Sequence, residues 1–147
     1  MKKFVFSLDS LRRYRQTLFD QEQAKLQTLL YELRKLEDRR TLLLAEVEQS
    51  RERIHSMLVV PVHQLTAMQA FQRFAGDEAK RFAENKAVLS GRIDQQRSAL
   101  MLARRNVEAL EKLKERRFES WRLEADREME AAVAELVIAR FKPPSET

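Results

Sequence analysis

The stretch LLYELRKLEDRRTLLLAEV, residues Leu29 to Val47, decides the fold. Leu29, Leu33, Leu36, Leu43 and Val47 recur at alternating steps of three and four, and Ile54 and Met57 carry the pattern on, with Arg40 and Ser50 as its polar exceptions. Such steps hold one apolar stripe on one face of a 3.6-residue helix, and sustained over several heptads they specify a coiled coil. The second half repeats the pattern at Phe82, Leu89, Ile93, Leu100, Ala103, Val107 and Leu110. Between them stands Pro61, with no other proline before Pro143 and Pro144 and no glycine before Gly76.

Composition agrees. The chain has 147 residues, 44% apolar and 35% charged, with 2 glycines, 3 prolines and no cysteine. A domain of this length usually carries roughly ten glycines, and sandwiches, dinucleotide folds and phosphate loops need them at their turns. The apolar content is too high for a disordered chain. Without cysteine, disulfides, thiolate nucleophiles and zinc–cysteine centres are excluded, which is compatible with a cytoplasmic location. The start, Met1 to Ser7, lacks the apolar run of a signal peptide, and Met57 to Val62 is far too short to span a bilayer.

The expected fold is therefore all-α: a long antiparallel two-helix coiled coil, a helical hairpin, with a C-terminal helical overhang. It forms a single coiled-coil domain over residues 1–147. Helix one is expected over 7–58, a turn over 59–65, helix two over 66–141 and a flexible tail over 142–147. Ser7 is the expected N-cap of helix one, with Asp9 in its first turn and Phe6 and Leu11 placed as a hydrophobic staple. Thr66 and Gln69 have capping-box spacing for helix two, and Pro143-Pro144 stop it. Gly76 marks a candidate kink and Gly91 a weak point. Leu18, Glu22, Leu26 and Leu29 step by four, four and three, a stutter that should unwind the supercoil locally. With the turn at Pro61, facing residues have numbers that add to about 122. One mutual seam makes stability modest and a partner expected.

No constellation of residues points to catalysis. His55 and His63 flank the turn without further ligands to complete a metal site, and pairs such as Glu124 and Glu128 read as a solvated face. Charge is more informative. Residues 2–15 carry Lys2, Lys3, Arg12, Arg13 and Arg15 against Asp9, and residues 104–117 carry Arg104, Arg105, Lys112, Lys114, Arg116 and Arg117 against three glutamates. The hairpin sets these net charges of +4 and +3 side by side. Residues 118–139, with six acids against Arg122 and Arg127, are net −4. The segregation suits an electrostatic docking surface; ordinary coiled-coil flanking pairs are the plainer explanation. Trp121 and Phe118 either anchor a partner or pack on Phe4 and Phe6. A basic-region zipper is disfavoured by the interrupting glutamates.

The opening Phe4-Val-Phe-Ser-Leu-Asp-Ser-Leu-Arg-Arg-Tyr-Arg15, together with Leu110-Glu-Lys-Leu-Lys-Glu-Arg-Arg117 and the acidic helix ending Ala139-Arg140-Phe141, resembles the FliJ family. These are the soluble stalk components of the bacterial flagellar type III export apparatus. Arg12 stands where a second leucine is common, and Ala134 where an aspartate is. The resemblance implies a non-enzymatic stalk without cofactors, cytoplasmic and peripheral at the base of the flagellum, monomeric when free. It implies that the terminal end docks into the hexameric export ATPase FliI and that other surfaces meet the export gate protein FlhA and export chaperones. On this reading Leu11, Arg12, Arg13, Arg15, Lys112, Lys114, Arg116, Arg117 and Trp121 form the ATPase-docking site. Tyr31, Phe71 and Phe74 are candidates for the gate or chaperone site. The stalk of virulence secretion systems, a purely structural coiled coil and a nucleic-acid-binding coiled coil are the alternatives.

Overall fold

The computed structural model describes residues 2–141. Two helices, α1 (Asp9–His55) and α2 (Val62–Phe141), pack against each other as a helical hairpin, with 91% of the described residues helical and no strand among them. The expected tail, 142–147, lies outside the described residues.

The turn shows why α1 ends earlier and α2 begins earlier than spacing suggested. α1 closes with the Ser56 amide on the Glu52 carbonyl and a tighter bond from the Met57 amide to Ile54. The chain then bends at Leu58 and Val59 before reaching Pro61. Pro61 is itself the cap of α2: its carbonyl accepts from the amides of Gln64 and Leu65 at 3.0 and 3.3 Å. A proline has no amide to leave unsatisfied there. Thr66 is therefore not a cap; it lies inside α2 and donates its hydroxyl to the Val62 carbonyl at 3.0 Å. The Ser7 cap is corrected too. The first helical bond of α1 runs from the Arg12 amide to the Leu8 carbonyl, after a turn from Asp9 to Phe6. Leu8 holds the cap position, which moves Phe6 and Leu11 out of staple register. α2 runs unbroken through Gly76 and Gly91, because neighbouring turns carry the helix across a single glycine at about 1 kcal/mol.

The chain divides into two compact units, Met1–Phe19 with Leu102–Thr147, and Asp20–Met101. In the second, Leu89 and Ile93 are buried, and Leu29, Leu33, Leu36, Leu43, Val47, Ile54, Phe82 and Leu100 are half-buried along the seam. Arg40 is exposed, as its break in the pattern requires. Lys86 pairs with Glu37 at 3.4 Å across the helices, the register expected from a turn at Pro61. At the stutter the seam is polar. Glu22 accepts, through both its carboxylate and its main-chain carbonyl, from the side-chain amide of Gln96. A polar pair within an apolar seam fixes register, since any slip strands both partners. In the first unit Phe6, Val107 and Ala125 are buried and Leu18, Ala103 and Leu110 half-buried.

Candidate functional site

The first unit gathers the nine predicted docking residues around the chain start. Asp9, at the opening of α1, is its organising anion. Its carboxylate accepts from Arg12 Nε at 2.9 Å and lies 3.0 Å from Arg13 Nε and 3.8 Å from Lys114 Nζ of α2. One carboxylate thus faces three cations. The Arg12 hydrogen bond, and after it the charges of Arg12, Arg13 and Lys114, hold the Asp9 carboxyl below its ordinary range. The two basic segments that the hairpin sets side by side thus share one internal partner for three of their cations. Arg13 nonetheless stays 77% exposed.

Arg117 and Trp121 both contact the start of the chain. Arg117 donates to Ser7 Oγ at 2.8 Å and its guanidinium stands 5.6 Å from the Phe6 ring centroid. Trp121 donates from Nε1 to the Lys2 carbonyl at 3.1 Å. Phe4 meets Phe118 edge-on at 5.2 Å and Trp121 at 5.8 Å, while Phe118 stacks on Trp121 at 5.7 Å. Trp121 is half-buried; of its two readings, packing against the start of the chain is the one realised. Lys112 and Arg116 are exposed, and neither they nor Arg15 make an ion pair among the described residues. Leu11 is 40% exposed. The exposed cations are therefore Arg13, Lys112, Arg116 and Arg117, of which Arg13 and Arg117 also make contacts within the unit, whereas Arg12, Lys114 and Trp121 are half-buried.

Tyr31, Phe71 and Phe74 belong to the second unit and do not form one patch. Phe71 is half-buried, stacks on Phe74 at 6.5 Å and lines a hollow with Ser50, Ile54, Met57 and Met68. Phe74 is largely exposed. Tyr31, also exposed, carries the Lys35 ammonium 4.7 Å over its ring. It lies about 28 Å along α1 from Ser50 at 1.5 Å per residue. His55 and His63 are exposed. Among the described residues no group of three His, Cys, Asp or Glu is placed to hold a metal ion, and no helix is long and apolar enough to cross a membrane.

Sequence reading missed the role of Asp9, which it assigned to the helix dipole, and the Glu22–Gln96 pair, which it saw only as a break in spacing. The Gln96 hydrogen bond, with a second from Lys25, holds the Glu22 carboxyl below its ordinary range. Both carboxyls are depressed in the folded chain, so the stability they contribute is present above their unfolded values, about 3.9 for Asp and 4.3 for Glu. It is lost as pH falls through the lower folded values. A thermal melt followed by circular dichroism should therefore fall more steeply between about pH 4.5 and pH 2.5 for the natural chain than for Asp9→Asn with Glu22→Gln. Equal slopes would show that neither carboxylate matters to stability.

Compared with protein-family models, with curated proteins and with solved structures, the chain matches none.

Proposed function

We propose that the chain is a non-enzymatic coiled-coil stalk of the FliJ type in the bacterial flagellar export apparatus. On this reading it docks its terminal end into the ring of the export ATPase FliI. It links that ring to the export gate protein FlhA and to substrate chaperones at the cytoplasmic face of the membrane, and flagellum assembly and motility depend on it. Tyr31, Phe71 and Phe74 remain the candidates for gate or chaperone contact. The observation that carries the reading is the cationic surface built from both helices beside the chain start, where Arg13, Lys112 and Arg116 face solvent. Two helices of one hairpin that converge on a net positive end favour an acid-lined partner, and lining a pore with carboxylates relieves their mutual repulsion.

The test uses purified chain with purified hexameric export ATPase. The chain alone is expected to hydrolyse no ATP, and to raise both the rate and the hexamer fraction of the ATPase, less so at high salt. Lys112→Glu with Arg116→Glu is expected to remove most of that stimulation with helicity unchanged, because neither side chain supports the fold through an ion pair. Reversing Arg13 and Lys114 is the poorer choice, since it sets new carboxylates against Asp9 and damages the start of α1. Full stimulation by the Lys112/Arg116 variant would refute the docking surface, and no stimulation by the natural chain would refute the stalk reading. A strong shift of DNA or RNA with steep salt dependence would instead establish the nucleic-acid alternative.

A further inference from the structure

Among the described residues, none of those beyond Ala125 on α2 is buried. α1 starts at Asp9, and the segment ahead of it meets Phe118 and Trp121 and shares a hollow, through Lys2, with Glu124, Ala125 and Glu128. Every residue from 126 to 141 is exposed. This length is not polar. Met129, Val133, Leu136 and Val137 are 59, 54, 71 and 48% exposed. Their steps of four, three and one hold them on one face of the helix, and Ala132 and Ala139 widen it. A solvated helix of four turns has no reason to align large aliphatic side chains, and an exposed apolar face marks a contact surface.

The charges say what kind of contact. At 100° per residue, Glu128 and Glu135 fall along one border of the stripe and Glu130 along the other, while Asp126 and Arg140 stand on the stripe itself at its two ends. Asp126 and Glu130 also line an open hollow with Met129, Val133 and Ala134. Acids on both borders of an apolar seam are the arrangement in which flanking positions choose the partner. In two copies of this chain the bordering glutamates would meet one another, and residues 126–141 are net −2. A helix with an apolar stripe and lysine or arginine on both flanks would gain on both counts.

We propose that residues 126–141 of α2 are a docking strip for a cationic amphipathic helix of another protein, which lays its apolar face on Met129, Val133, Leu136 and Val137 and its basic flanks on Glu128, Glu135 and Glu130. The strip is separate from the cationic surface near Asp9 and does not depend on the function proposed above.

The probe is a labelled synthetic peptide of about three heptads, leucine at its seam positions and lysine at its flanks, titrated with the full chain and read by fluorescence anisotropy. A twin peptide with glutamate at the flanks is the control. The lysine peptide is expected to bind about tenfold or more tightly than its twin and to weaken as salt rises. The decisive variant is Val133→Asp with Leu136→Asp. It adds negative charge, so a merely electrostatic attraction would strengthen, whereas docking on the strip would weaken about tenfold or more. Both positions are exposed, so helicity should be unchanged. Glu128→Gln with Glu135→Gln should weaken binding and flatten its salt dependence. Equal binding of the two peptides, or undiminished binding by the aspartate variant, would overturn the proposal. So would a homodimer in sedimentation that the aspartate variant dissociates, because a second copy would then be the occupant.

Discussion

Ile93→Ala is expected to lower the free energy of unfolding by about 2–3 kcal/mol. Ile93 is the most deeply buried large aliphatic side chain of the seam, 4% exposed. The cost joins the lost transfer of its methyl and methylene groups to the hole left behind. A pair of helices without a third layer closes more of that hole than a globular core does, which sets the value at the lower end for isoleucine. The loss is nevertheless large for this chain. Small domains hold about 5–15 kcal/mol, and a single seam supplies the lower part of that range. Leu136→Ala, at a position 71% exposed, serves as the comparison and should change stability by less than about 0.5 kcal/mol. Urea titration followed at 222 nm measures both. Equal effects from the two variants would mean that the seam does not run where the fold places it.

The largest expected gain comes from Gly76→Ala with Gly91→Ala. Both glycines sit inside α2 with ordinary helical geometry, neither has a positive φ, and a Cβ at either would meet nothing within 4 Å. Alanine then adds only what glycine lacks in a helix. It restricts the unfolded backbone and shields the helical one, worth up to about 1 kcal/mol at each site. The positions lie four turns apart, so the two effects should add. The double variant is expected to be about 1–2 kcal/mol more stable, with its transition at higher temperature and its helical signal equal or greater. A lower transition would show that one of the glycines makes a close contact, which the hairpin alone does not supply.

What could be read from the sequence follows from where each determinant lies. The seam was legible because Leu29 to Met57 and Phe82 to Leu110 report a local periodicity, and where a second helix lies alongside, that periodicity says which face is covered. The facing register was legible because one proline set the turn. The caps were not. Ser7 and Thr66 have the right chemistry, but a cap is decided by competition. Pro61 caps α2 five residues before Thr66, and the Ser7 hydroxyl is taken by Arg117, more than a hundred residues away in sequence. The Glu22–Gln96 pair was hidden for the same reason: each residue alone looks like a flaw in an apolar repeat, and only the partner on the other helix gives it a role. At the cationic end, composition supplied the charges and their segregation. It did not distinguish the cations that close on Asp9 from Lys112 and Arg116, because that depends on how the first turn of α1 meets α2. Trp121 was read two ways from sequence, and the contact with Phe4 decides between them.

The indole also makes the chain self-reporting. It is the one tryptophan of the sequence, and its environment is set by Phe4, Phe118 and the carbonyl of Lys2. Its emission therefore follows whether the first few residues lie on α2, whereas the far-ultraviolet signal averages every helical turn of both units. The two spectroscopic traces need not share a midpoint. Where they separate, the gap between them measures how much sooner the chain start lets go than the helices do.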